Sequence, residues 1–249
     1  MKKIYTLFIY IIAFVCSASA QRNEVVQNRP YTDLRPVHFG VVVGMSMQDM
    51  KFNNVGPQVL TLSDGTQQES LVTCDQTGWD IGFNVGVLAE FRINEYFAFR
   101  TAPQLYFGTR NLTFYNFNKE KTPGEPLTEV QSLRSVLVGA NFDLIYAAKR
   151  HNNHRPYMML GIAPMFNVST PSNEYLQMKT ADAYLEFGIG CDFYMPYFKL
   201  RPELKFMLGL TNCLNNKRAD VMNDDAMLPY TKSVNKARSK IISLSFYFE

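Results

Sequence analysis

The sequence predicts an all-β protein, an eight-stranded antiparallel transmembrane up-and-down β-barrel. Three observations carry the prediction. The candidate strands put apolar residues on one face and glycines and charges of both signs on the other; their connections alternate long and short; and an export signal heads a chain with no later segment apolar enough for a spanning helix.

The alternation is clearest from Gly78 to Ile93. Trp79, Ile81, Phe83, Val85, Val87, Ala89 and Phe91 fall on one side, and Asp80, Asn84, Glu90 and Arg92, with Gly82 and Gly86, on the other. Period two identifies a strand. A water-soluble barrel would bury the apolar face and show its charges to solvent. Glycines and mixed charges opposite an unbroken apolar face are instead the filling of a small membrane barrel whose apolar side meets lipid.

The N-terminus reads as an address. Lys2 and Lys3 form a positive region, Leu7 to Val15 an apolar one, and Ala18-Ser19-Ala20 a cleavage site before Gln21. The apolar run is short of the roughly 20 residues a spanning helix needs, and Cys16 lacks the small preceding residue of a lipoprotein signal. Cleavage removes two lysines and no acid, so 25 basic residues become 23 against 22 acidic ones. That near-neutral balance gives no support for a nucleic-acid partner. Charges or turn residues interrupt every later apolar run, and a bilayer admits only helices or closed barrels. The expected organisation is a signal peptide over 1–20, a polar periplasmic leader over 21–36 and the barrel over 37–249.

Eight segments repeat the pattern. The first, His38–Asp49, turns Phe39, Val41, Val43 and Met45 outward. Residues 50–77 read as a loop, with a short strand around Gln58–Leu62. The second strand, Gly78–Ile93, passes through an Asn94-Glu95 turn into the third, Tyr96–Tyr115. A loop around Lys119–Pro126 leads to the fourth, with Val136, Val138, Phe142 and Leu144 outward. The basic turn Lys149–Arg155 precedes the fifth, Pro156–Val168, the weakest in pattern. The sixth, Asp182–Met195, turns at Pro196-Tyr197 into the seventh, Phe198–Leu210. A polar loop over 211–237 precedes the eighth, Lys240–Glu249. An even strand count with alternating long and short connections is the rhythm of an outer-membrane barrel, short turns in the periplasm and long loops outside. Tyr96, Phe97, Phe99, Tyr194, Tyr197, Tyr247 and Phe248 cluster at the short-turn end and read as an aromatic girdle.

An eight-stranded barrel is just wide enough to be filled by its own side chains. The residues expected inside are Asp80, Glu90, Arg92, Arg100, Arg110, Asp143, Glu186, Asp192, Lys199, Arg201, Glu203 and Lys205, interspersed by sign and paired as buried charges require. Lys149, Arg150 and Arg155 are the candidate contact for a periplasmic partner; a solvated turn is the plainer reading. Cys74 and Cys213 fall in the two longest loops, where a surface disulfide or two free thiols are the alternatives, and Cys191 lies on an apolar face. His151 and His154 lack the neighbours a metal site needs, and no Ser/His pair, phosphate loop or nucleophile elbow appears. No catalytic residue, metal or cofactor is therefore expected.

The segment Asp192–Leu214, DFYMPYFKLRPELKFMLGLTNCL, resembles the PorT (SprT) family of Bacteroidetes outer-membrane β-barrels, and RPYMMLGIAP at Arg155–Pro164 is in the same style. The resemblance runs loosely over 37–248. It implies a non-catalytic accessory barrel of type IX protein secretion, seated in outer-membrane lipid among other secretion proteins. A structural or adhesive surface barrel and a lipid-modifying barrel enzyme remain the alternatives.

Overall fold

A computed structural model describes residues 26–62, 64–122, 125–169, 175–215, 225 and 227–249. The signal peptide and Cys16 lie outside these residues, as does the first part of the leader. The strands are β1 (Val37–Asn54), β2 (Gln58–Thr61), β3 (Gln67–Ser70), β4 (Val72–Asp75), β5 (Asp80–Arg92), β6 (Phe97–Thr122), β7 (Glu125–Ala147), β8 (His154–Asn167), β9 (Ala181–Tyr194), β10 (Lys199–Gly209) and β11 (Val234–Phe248). Two short helical turns, Thr32–Leu34 and Leu228–Thr231, complete the described elements.

The long strands pair antiparallel in chain order, β1 with β5 and so on to β11, and β11 returns to β1 with Val41 opposite Phe248 and Met47 opposite Ile242. The sheet thus closes on itself and leaves no long edge. The short β4 pairs with β6 above the end of β5. Asp75 faces Thr113 while Gly82 faces Gly108, so seven residues on one side oppose five on the other. β4 and β5 are one strand path broken by a two-residue slip. β2 and β3 form a separate hairpin, where the sequence suggested only a short strand.

The outward face follows the alternation. Phe39, Met45, Ile81, Phe83, Val87, Met158, Leu160, Ile162, Ile189 and Leu244 are exposed, while Val42, Asn84, Leu88, Arg100, Asp143, Met159 and Glu203 are buried. β8 looked weak because its inward residues, Tyr157, Met159, Ala163 and Met165, are themselves apolar. The apolar exterior spans Ile81–Phe91 on β5 and Phe97–Phe107 on β6, about the 9–11 residues a tilted membrane strand needs.

At the loop end of that band the sense of the alternation reverses. Met47 pairs Ile242 and the next outward pair is Asp49 with Lys240; Phe107 pairs Val136 and the next is Thr109 with Arg134. Beyond this level polar residues point out and apolar ones in. Met50, Val72, Cys74, Leu112, Phe114, Leu133, Tyr230 and Val234 belong to one buried cluster that closes the loop end of the barrel. β6 and β7, 26 and 23 residues long, therefore run far past the membrane, and their pairing continues into the expected loop around Lys119–Pro126, as far as Thr122 opposite Glu125. β11 likewise begins at Val234, inside the expected loop.

Candidate functional site

The chemistry-bearing residues converge inside the barrel, in two layers near the turn end. In the layer closer to the mouth, Arg201 binds Glu90, Asp192 and Glu249, and Lys199 binds Glu249, with Asp192 3.9 Å away. In the deeper layer the Arg100 guanidinium donates to Asp143 at 2.9 Å and to both oxygens of Glu203 at 2.8 and 3.0 Å. Glu203 also accepts from the hydroxyls of Tyr157 at 2.8 Å and Tyr247 at 3.1 Å. Lys205 donates to Glu186 at 3.1 Å, and Asn141 donates to the same carboxylate. The Arg100 guanidinium also lies over the Tyr247 ring, 4.4 Å from its centroid.

Local sequence explains how such bulky groups fit. A Cβ on Gly190 would lie 2.4 Å from the Tyr157 hydroxyl, and one on Gly161 2.3 Å from Asp143. These lumen positions stay empty so that neighbouring strands can send long side chains across the axis. Toward the loop end the filling becomes neutral, with Asn84 bonded to Gln104, Ser243 and Ser245, and then apolar around Tyr106, Leu137, Met165, Tyr184 and Met207. Arg110 sits above this, donating to Gln48 at 3.0 Å and Ser239 at 2.8 Å. Charged, neutral and apolar plugs thus succeed one another along the axis.

A closed antiparallel ring with an apolar exterior and a charged, self-paired interior is built to stand in lipid. Residues 20–215 match the family described as the outer membrane protein beta-barrel domain. The chain belongs to that family. This outer-membrane barrel is similar in structure to the outer membrane protein OprG of Pseudomonas aeruginosa, at 12% identity and a TM-score of 0.47, over 84% of this chain and 93% of that one. It is also similar to Neisserial surface protein A, at 13% identity and a TM-score of 0.41, over 86% and 98% of the two chains. No curated protein sequence matches it.

The barrel brings together Glu90, Arg100, Glu186, Asp192, Arg201, Glu203 and Lys205, with Asp143 and Lys199. Three expected lumen charges stand apart. Arg92 is exposed at the turn-end rim, because its strand ends there. Asp80, beside the slip between β4 and β5, binds Asn111 and Gln76 instead. Arg110 is buried but is held by neutral groups rather than a carboxylate. The girdle is corrected at Tyr194, which is buried in the interior. Tyr247 is buried too, as its inward place on the last strand, beside Ser243 and Ser245, requires, while Phe97, Phe99, Tyr197 and Phe248 remain outward.

The basic turn is not a free patch. Residues 26–36 of the leader fold under the turn end, and Arg150 donates to the carbonyl oxygens of Asn28 and Arg29 and stacks on Tyr194, 3.6 Å from the ring centroid. Arg155 and Arg150 both approach Asp33, at 3.8 and 3.9 Å, and the Tyr194 hydroxyl donates to Asp33 at 2.6 Å. Arg150 is therefore spent on the chain's own leader, while Arg155 donates to the carbonyl oxygens of Ala148, at 2.8 Å, and Glu95 and meets the leader only at Asp33. Only Lys149 stays exposed, 4.0 Å from Glu95; the Tyr96 side chain, and to a smaller extent the charge of Glu95, raise its pKa. Sequence reasoning missed the docked leader; its signal was the acid Asp33 and the amide Asn28 in a segment otherwise without pattern.

Cys74 and Cys213 are free thiols buried in the same loop-end cluster, so the surface disulfide considered from sequence is absent. Burial pushes the Cys213 thiol up to about 11, and burial, with the charge of Asp75, raises Cys74 as well. His151 and His154 pack edge to face in the turn, and no metal-binding group of three or more His, Cys, Asp or Glu occurs among the described residues.

Proposed function

We propose that this outer-membrane barrel spans with eight strands, β4 being an interrupted part of the second, and that it neither conducts nor catalyses but acts through its rims and loop-end cap as an accessory to protein secretion of the type IX kind. The observation that carries the non-conducting reading is the plugged lumen: Arg100, Asp143, Glu186, Glu203 and Lys205 are each 0% exposed. Short turns at one end and long strand extensions at the other support an orientation with the turns and leader in the periplasm and the cap outside.

The secretion reading rests on the resemblance of the Asp192–Leu214 segment. Its charged residues Asp192, Lys199, Arg201, Glu203 and Lys205 all face the lumen, so the motif specifies barrel interior, and any partner must be met by other surfaces. Two measurements test the proposal. Protein reconstituted in a planar bilayer should show no stepwise conductance. A clean deletion strain should retain secreted cargo bearing C-terminal export signals in its periplasm; normal export there removes the secretion role and leaves the barrel.

A further inference from the structure

Just beyond the apolar band on the loop side, the outward faces of β1 and β11 carry an unbalanced basic patch. Lys51 stands directly opposite Arg238, Asn53 opposite Lys236, and Asp49 opposite Lys240. Among the described residues four cations share the face with one carboxylate, and only Lys240 has an ion-pair partner there, Asp49 at 3.8 Å. Lys51, Lys236 and Arg238 are exposed and form no salt bridge among the described residues. Like charges directly opposite across two strands are destabilising unless something neutralises them.

The wall beside the patch is open. Above Gln48, β1 pairs with β11 alone, and β4 pairs with β6 alone, so no ladder joins β1 to β4. The side chain of Asn54 bridges the gap to the backbone of Cys74, accepting at 3.0 Å and donating at 3.1 Å. The recess left between them measures about 680 Å³, with Lys51 and Lys240 on one wall and Asp75 and Tyr115 on the other. Directly below the patch lie the exposed Met47 and, opposite it on the same outward face, the half-buried Ile242. Its height is thus that of lipid headgroups.

We propose that this face binds the phosphate groups of an anionic lipid in the outer leaflet, acyl chains against Met47 and Ile242 and headgroup against Lys51, Lys236 and Arg238. The source is the lipid rather than free phosphate, because the apolar wall and the cations are contiguous. The inference rests on the orientation proposed above. Folded protein in detergent should bind added lipid A, and Lys51→Gln/Arg238→Gln should bind about 30-fold more weakly, since each cation near a charged lipid surface strengthens binding about fivefold. Lys149→Gln, at the opposite end, should bind as wild type does. All variants should keep the heat-dependent gel shift of a folded barrel. Unchanged affinity in the double variant, an equal loss in Lys149→Gln, or full competition by inorganic phosphate overturns the lipid site. Separately, Lys236→Cys should react with a membrane-impermeant maleimide on intact cells above the wild-type background. No reaction refutes the orientation, whatever the binding result.

Discussion

Glu203→Leu tests whether the lumen network holds the barrel together. The Glu203 carboxylate accepts two bonds from Arg100 and one each from Tyr157 and Tyr247, and Lys205 stands 3.6 Å away. Leucine removes all four acceptor contacts. Arg100 keeps Asp143, and Lys205 keeps Glu186, so neither cation is stranded. Because both cations keep a carboxylate, the about 3–5 kcal/mol cost of stranding a buried charge does not apply in full, and the two orphaned buried hydroxyls, at about 1–3 kcal/mol each, set the floor. The expected loss is therefore at least about 2 kcal/mol. The adjacent Leu204→Ile changes a lipid-facing side chain and should stay within about 0.5 kcal/mol. Urea titration of protein folded in phosphatidylcholine vesicles would measure both. The single tryptophan, Trp79, is 42% exposed on the outer face near the loop-side edge of the band and reports insertion by its emission. A loss below 1 kcal/mol for Glu203→Leu, or a larger loss for Leu204→Ile, would refute the assignment of faces and the network's structural role.

Further expectations follow from the same geometry. Val87→Arg, outward and midway along the β5 band, should cost about 2–4 kcal/mol by the same titration, because the arginine must enter hydrocarbon; a silent change would mean this face does not meet lipid. Gly190→Val must displace the Tyr157 ring from Glu203 and should lower stability by about 1–3 kcal/mol through overpacking, seen as a lower urea midpoint. Arg150→Ser with Arg155→Ser should release the leader, so that limited proteolysis cuts near Asn28 and Asp33 while the barrel keeps its gel shift; protection equal to wild type would show that other contacts seat the leader. Because burial raises both thiols, Cys74 and Cys213 should stay protonated and unalkylated at pH 8 in folded protein and react only after unfolding.

The sequence by itself determined which residues face lipid and which face the axis, because a strand alternates sides with a period of two and eight successive segments keep the same sense. Phe83 and Asn84, or Leu204 and Glu203, can be assigned from neighbours alone. It also showed where the short turns fall, since Asn94 and Pro196-Tyr197 are local signals; Asn94 caps its turn by accepting from the backbone of Tyr96 and Phe97. The strand extensions were hidden because the alternation changes sense at Asp49 and Thr109. A rule tuned to apolar-out strands stops reading there, although the reversed pattern itself marks the membrane edge.

Only the tertiary structure decided which charges meet. Arg100 and Glu203 are 103 residues apart, and Arg201 and Glu90 are 111 apart; their pairing depends on the stagger of a closed ring, which no local pattern encodes. The same holds for Arg150 and Arg155. Charge and exposure in a turn are visible in sequence, but the leader that neutralises them folds back from more than 100 residues away, and the surface left for a partner is set by that long-range contact.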